Sequence, residues 1–422
     1  MLTAALLTSA DAQSGVRTDL AQAMRMVSQG DLAGAERKLR EVEKVRPEVF
    51  EVQYRLGLVL LRQGKHREAS TRLEAAVRQA PSSAPAWMAV AQVRMHLGKR
   101  EESVAAANRA AALVPPEPMM WRGLSRIFAE AGEFRRALEL EENATAGNGE
   151  TAESHRLRGL VYRSEGKPAE AVNSLQEAIR LAPESWPPYA ALAGLFLDHR
   201  TPEPVVALLQ AAPKTFAKIA EYHRILGLAY YQTGKRDLAI DEFLAVADLE
   251  PDAEIGYTSL ETILPHAGPR RGELMRRFER FQTKQPKNPI GHFLVARVLA
   301  LDGAPAARVE PLLRRAIFVE PRFWPAYFEL GLLLETQGNK AEAVRMLERT
   351  VKLKADYAAA HFALSRLYGQ QGNRVQAVAS RKKHAELIEA ERLNAEKGRE
   401  LNPALNYRLE AGPGMTSPPK ER

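Results

Sequence analysis

The chain has 422 residues, of which 45% are hydrophobic, 27% charged and only 7% aromatic, and its formal net charge is +8. The absence of cysteine excludes structural disulfides and thiolate-bound metals. No apolar run reaches the roughly 18 to 20 residues that a membrane-spanning helix needs, and the modest positive charge permits an acidic partner without demanding one.

The first fifteen residues differ from the rest of the chain. They begin with a small, apolar stretch, and Ala10-Asp11-Ala12 before Gln13 has the pattern of an Ala-x-Ala cleavage site. We expect residues 1–15 to be either a signal-peptide remnant or a frayed N-terminal extension of the first helix. The first alternative predicts an exported, periplasmic protein, and the second a cytoplasmic one.

From residue 16 onward the sequence repeats itself with a period of 34 residues. Glycine recurs at this interval or its multiples, at Gly30, Gly64, Gly98, Gly132, Gly166 and Gly234, and again at Gly338 and Gly372. Proline follows a parallel series, at Pro47, Pro81, Pro115, Pro183, Pro251 and Pro321. Self-similarity at such a period is typical of stacked helical repeats and argues against one globular core.

One period, residues 50–83, predicts a pair of helices. Its apolar residues fall at helical spacing in two runs, the first of which ends at Gly64 and the second at Pro81. Glycine suits a left-handed helix C-cap, and proline cannot continue a helix. Gly57 and Ala69 are small enough to let the two helices approach closely, while Leu73 fills the space between them. Such a hairpin needs neighbours to bury its apolar face.

These residues resemble the tetratricopeptide repeat, a family pattern with Leu-Gly, two alanines and a closing proline at fixed positions. Leu56-Gly57, Ala69, Ala76 and Pro81 match it here. The resemblance implies an all-α fold, a right-handed α-solenoid of stacked antiparallel helix pairs, over residues 16–391. About eleven repeats begin at Val16, Phe50, Ala84, Pro118, Ala152, Trp186, Ala220, Glu254, Pro289, Trp324 and Ala358.

Two stretches depart from the pattern. Residues 186–219 carry prolines in the inter-helix turn and in the second helix, and residues 254–323 hold two extra residues together with several prolines and glycines. We expect irregular turns in both stretches. They indicate either divergence within a tolerant array or a functional hinge.

The C-terminal end is predicted to be a charged cap followed by a tail. Residues 374–399 alternate basic and acidic side chains in a helical pattern, as a terminal repeat with no covering neighbour requires. We therefore expect the end of a capping helix and a disordered tail at residues 392–422.

No constellation of residues indicates catalysis. Four of the nine histidines (His155, His223, His292 and His361) share position 4 of their repeats, counted from the repeat starts, where other repeats have Trp or Tyr. Their shared position favours a packing role over a metal site. Metalloprotease, phosphate-loop and nucleophile-elbow motifs are absent. The sequence therefore predicts no enzyme activity, no cofactor, no metal and no small-molecule substrate.

The resemblance also implies a binding surface. In the family a concave groove is lined by first-helix positions 2, 5, 9 and 12. In the middle repeats these positions and their neighbours hold Gln92, Arg122, Arg126, Arg156, Arg163, Arg224 and Tyr231. Arginine suits carboxylate recognition, so the residues favour an acidic peptide segment. Alternatively, the arginines pair with Glu153, Glu130 or Glu221 and solvate the wall.

Three functions remain open. The repeat array favours a protein-interaction scaffold that binds a partner protein or peptide in the groove. A second alternative is a recruiting or assembly subunit of a bacterial envelope, secretion or glycosyltransferase complex. Nucleic-acid binding is the least supported, because no aromatic residues for base stacking are interleaved with the basic positions.

Overall fold

The computed structural model describes residues 2–113, 117–145 and 149–400, and among residues 2–14 and 394–400 only the backbone is described. Over the described residues the chain is helical, with no β-strand. It divides into two compact units, residues 1–181 and 182–422. We call these the first unit and the second unit and describe each by itself.

The first unit is built from helices that pack in consecutive pairs. The closest partners are α3 with α4, α5 with α6, α7 with α8, and α9 with α10. The bounds are α1 Leu2–Ser28, α2 Leu32–Val45, α3 Phe50–Arg62, α4 His66–Gln79, α5 Ala84–His96, α6 Arg100–Leu113, α7 Pro118–Glu130, α8 Phe134–Thr145, α9 Ala152–Ser164 and α10 Pro168–Leu181. This arrangement confirms the predicted fold class of stacked helix pairs.

The second unit follows the same plan. Its closest partners are α13 with α14, α17 with α18, α19 with α20, and α21 with α22. The bounds are α11 Trp186–Asp198, α12 Pro202–Gln210, α13 Ala220–Gln232, α14 Arg236–Leu249, α15 Glu254–Ile263, α16 Arg271–Lys284, α17 Pro289–Leu301, α18 Ala306–Val319, α19 Trp324–Thr336, α20 Lys340–Leu353, α21 Ala358–Gln370 and α22 Arg374–Glu400.

The turn inside a regular hairpin is built on a left-handed glycine. Gly64 has φ +75°, and the backbone N–H of Lys65 donates to the carbonyl of Leu60 at 2.9 Å, which closes α3. His66 then begins α4. At the same place in the hairpin of α11 and α12 stands Arg200, whose φ is +56°. Among the described residues, Arg200 is the only one other than glycine with a positive φ.

The departures from the repeat pattern coincide with irregular helices. In the second unit α12 has only nine residues and is followed by a 3-10 helix, Lys214–Lys218. Helix α15 has ten residues, and two 3-10 helices, Leu264–His266 and Gly268–Arg270, stand between it and α16. Whether these segments act as hinges stays a prediction.

The two ends of the chain are only partly described. Helix α1 contains the backbone of Ala10-Asp11-Ala12, but the side chains there are outside the described set, as is the predicted tail at residues 401–422. Within the described residues, every helix is too short or too polar to cross a bilayer.

Candidate functional site

The histidines at position 4 lie on four different helices. In three of them the ring forms a hydrogen bond to a backbone carbonyl in the segment just before its own helix. His223 Nε2–H donates to the carbonyl of Ala217 at 2.9 Å, and His361 Nε2–H donates to the carbonyl of Ala355 at 2.9 Å. His292 makes the same bond to Pro286 at 3.0 Å. In each case the acceptor lies six residues earlier. We call this contact the junction hydrogen bond.

Other residue types at position 4 form the junction hydrogen bond as well. The donors share only a side-chain N–H or O–H of suitable reach. They are Gln53 to Pro47 at 2.9 Å, Trp87 to Pro81 at 2.9 Å, Tyr257 to Pro251 at 2.9 Å and Tyr327 to Pro321 at 3.3 Å. The bond satisfies a carbonyl in the segment just before the helix that carries the donor, for example Pro47 or Pro81, where the backbone lies outside any helix. Position 4 is therefore a donor position as well as a packing position.

The remaining member of the set, His155, lies 2.8 Å from a carboxylate oxygen of Glu150. Because the four histidines share one repeat position, they lie on four separate helices along the chain. Among the described residues, no three His, Asp or Glu side chains converge as metal ligands would.

His223 also contacts a carboxylate on the second helix of its repeat. Its Nδ1 lies 2.6 Å from a carboxylate oxygen of Glu242, while Nε2 donates to Ala217. A carbonyl and an ionised carboxylate both accept hydrogen bonds, so the imidazolium form of His223 satisfies both contacts. The hydrogen bond to Glu242 raises the pKa of His223 above its usual value.

Two of the predicted groove arginines are already paired. Arg156 forms two hydrogen bonds to the Glu153 carboxylate, at 2.7 and 2.6 Å, and its side chain is only 16% exposed. Arg224 lies 3.6 Å from Glu221. For these two residues the structure shows the pairing that the sequence left open as the alternative to ligand binding.

The other predicted residues are distributed over both units. Gln92 is half-buried on α5, and Arg163 on α9 is half-buried with an interaction inside the chain. Tyr231 is half-buried on α13, the helix that also carries Arg224. The predicted stripe thus divides, with Arg224 and Tyr231 in the second unit and the others in the first.

One helix face keeps exposed arginines. Met119, Arg122 and Arg126 are spaced three and four residues apart on α7 and so share one side of the helix; we call them the α7 face. Met119 is 84% exposed and the Arg122 side chain 53% exposed. Arg126 is exposed, and no described carboxylate forms an ion pair with it.

A buried carboxylate lies beside this face. Glu141 on α8 is 4% exposed, at the place in the repeat where Leu73 and Leu175 stand in other hairpins. One of its oxygens is 3.8 Å from Arg122 Nε and 3.3 Å from the Thr151 hydroxyl. Burial raises the pKa of Glu141. The contact reaches Arg122 from one side, while about half of its side-chain surface remains exposed.

The exposed Met119 was missed by reasoning from charged residues, although position 2 of the repeat marks it for the same face. Arginine forks bind carboxylates through two parallel hydrogen bonds, and methionine adapts to varied apolar surfaces. The α7 face can therefore hold a segment that offers carboxylates beside an apolar group.

Comparison with known proteins identifies related sequences and folds. The sequence profile described as Tetratricopeptide repeat matches residues 20–69, 54–118, 122–185 and 328–380, together just over half of the chain. No curated protein matches. A tetratricopeptide repeat protein from Parabacteroides merdae is 16% identical with a TM-score of 0.52, covering 60% of this chain and 99% of its own. Yeast Tom70 is 14% identical with a TM-score of 0.46, covering 94% and 98% respectively.

Proposed function

Because the chain belongs to the tetratricopeptide-repeat family, whose members are generally non-catalytic protein-interaction scaffolds, we propose that its α7 face binds an acidic peptide segment of a partner protein. The observation that carries the proposal is the availability of Arg122 and Arg126. They lie one turn apart and are exposed, and Arg122 has only the 3.8 Å contact with Glu141, whereas Arg156 is held by two hydrogen bonds to Glu153.

The physical chemistry favours a carboxylate ligand. Like charges four residues apart on a helix are mildly destabilising, so a ligand carboxylate between Arg122 and Arg126 relieves repulsion as well as forming charge-assisted hydrogen bonds. The neighbouring Met119 offers apolar area to the same ligand. A segment with Asp or Glu next to an apolar residue fits all three side chains.

Charge reversal tests the proposal. In the full chain, Arg122→Glu combined with Arg126→Glu is compared with Arg135→Glu combined with Arg136→Glu on α8. Both variants change the net charge equally, and the α8 arginines are exposed and form surface ion pairs with Glu165 and Glu139. Random-peptide display on immobilised protein should enrich acidic sequences with the wild type and the α8 variant, and fail to do so with the α7 variant.

Two results would count against it. Enrichment of the same acidic sequences by the α7 variant would remove these arginines from the binding surface. A wild-type chain that enriches no acidic sequence would refute the acidic partner itself.

A further inference from the structure

The second unit contains a cavity whose lining includes no residue of the α7 face. It has a volume of about 260 Å³ and lies among α17, α18 and α19. Its walls are mainly aliphatic, with Val309 and Leu313 from α18 and Leu332 and Leu333 from α19. Ala300 and Thr336 are exposed at its edge, so the cavity is open to solvent.

The cavity coincides with an extra residue in the turn between α17 and α18. In a regular hairpin a single residue, such as Lys65, separates the left-handed glycine from the second helix. Here two residues, Ala304 and Pro305, stand between Gly303 and the start of α18. Ala304 lines the cavity, as do the small side chains of Ala296 and Ala300. The longer turn and these three small side chains leave the space unfilled.

Charged groups stand at one side of this space. Arg297 on α17 donates to the Glu329 carboxylate at 2.5 Å, and Glu261 on α15 interacts electrostatically with both of them. Burial raises the pKa of Glu261 and of Glu329. Arg297 thus has one carboxylate hydrogen-bonded to it, Glu329, and a second near enough to interact electrostatically, Glu261. When both carboxylates are ionised, this group of three side chains, of which Arg297 and Glu329 line the cavity, carries an excess of one negative charge, which a further cation would offset.

We propose that the cavity receives one large apolar side chain from a partner segment that carries a lysine or arginine beside it. The inference rests on the proposed role of the chain as a peptide-binding scaffold, but it concerns the second unit alone. It predicts a basic ligand segment, whereas the ligand proposed for the α7 face is acidic. An apolar cavity of about 150 Å³ is large enough to bind benzene, so this one accommodates a leucine or phenylalanine side chain.

Filling the cavity tests the inference. Ala300→Phe places an aromatic ring at its edge, whereas Ala341→Phe puts the same side chain on an exposed position of α20 that does not line it. Random-peptide display on the full chain should enrich sequences with a leucine or phenylalanine next to lysine or arginine. This enrichment should persist with Ala341→Phe and be lost with Ala300→Phe.

A titration of one enriched peptide then isolates the side chain. Replacing its apolar residue with alanine should weaken binding to the wild-type chain by about tenfold or more, as expected for the loss of a buried large side chain. The same replacement should have little effect on whatever binding Ala300→Phe retains. Glu261→Gln should reduce the preference for lysine or arginine and leave the preference for the apolar residue.

The outcomes separate this inference from the proposed function. Acidic sequences that depend on Arg122 and Arg126, without any Ala300-dependent sequence, would overturn the inference and leave the α7 proposal standing. Apolar-basic sequences that depend on Ala300, without acidic ones, would do the reverse. A library that yields no Ala300-dependent sequence overturns the inference in every case.

Discussion

Leu73 packs directly on the backbone of Gly57. A Cβ atom at Gly57 would lie 2.6 Å from Leu73 Cγ, closer than side-chain atoms approach one another. Leu73 is fully buried and α3 and α4 are close partners, so the contact sets the distance between the two helices of the hairpin.

We expect Gly57→Ala to destabilise the first unit. Overpacking of a filled core costs about 1–3 kcal/mol, which exceeds the gain of about 1 kcal/mol from replacing a helical glycine with alanine. The matched control is Gly369→Ala in α21, where nothing lies within 4 Å of the added carbon. In urea unfolding the control should be as stable as the wild type or more so. A stabilised Gly57→Ala protein would contradict the close-packing account.

Arg200→Gly should stabilise the second unit. Arg200 adopts φ +56°, and the left-handed conformation costs a residue with a Cβ about 1–2 kcal/mol. Glycine removes that strain but adds freedom to the unfolded chain, so the expected gain is about 1 kcal/mol. Arg276→Gly, at an exposed position inside α16, should instead lose about 1 kcal/mol. Equal losses in the two variants would mean that Arg200 is not strained.

Tyr257→Phe should cost about 1 kcal/mol of unfolding free energy. Tyr257 is fully buried, and its hydroxyl donates the junction hydrogen bond to Pro251 at 2.9 Å. Phenylalanine keeps the ring contacts with Phe281 and leaves the carbonyl without this donor. Tyr357→Phe is the control, since that hydroxyl has no hydrogen-bond partner among the described residues. If both changes have the same small effect, the junction hydrogen bond contributes nothing measurable.

The pair of His223 and Glu242 predicts a pH-dependent contribution to stability. Since its pKa in the folded chain is raised, the histidine contributes stability that is fully present below its unfolded pKa of about 6.5 and is lost as the pH rises through the folded pKa. The stability advantage of the wild type over Glu242→Gln should therefore shrink as the pH rises from about 6.5 into the alkaline range. A difference that is constant over this range, measured by urea unfolding, would show that the imidazolium is not formed.

We also propose that the protein is exported and cleaved after Ala12. N-terminal sequencing of the native protein should then begin at Gln13. Native protein that retains Met1 in a cytosolic fraction would support the alternative of a frayed helical extension.

Much of the architecture follows from the sequence because the repeat constrains each residue many times over. Gly64 and Pro81 predict helix ends from their backbone preferences alone. The contact between Leu73 and Gly57 is predicted by their positions in the two helices of the hairpin. The sequence permits the pairing of Arg156 with Glu153 but does not specify it, since an arginine on the groove wall can face either a ligand or a neighbouring side chain.

Other features had no signal in single residues. The cavity beside Arg297 depends on how one additional turn residue moves α18, which composition and spacing do not specify. The junction hydrogen bond could not be recognised from residue type, because its donors differ. Gln53, Trp87 and His292 have a side-chain hydrogen-bond donor in common but little else. An alignment of the repeats on donor capacity, rather than on aromatic character, would have identified it.

The junction hydrogen bond fixes where the chain can be cut. A fragment that starts at Phe50, where α3 begins, keeps the donor Gln53 but discards its acceptor at Pro47. The transferable module therefore starts at least three residues before its first helix and carries part of its predecessor with it. Excised or transplanted repeats should be designed from Pro47 or Pro81 onward, because those carbonyls belong to the module that follows them.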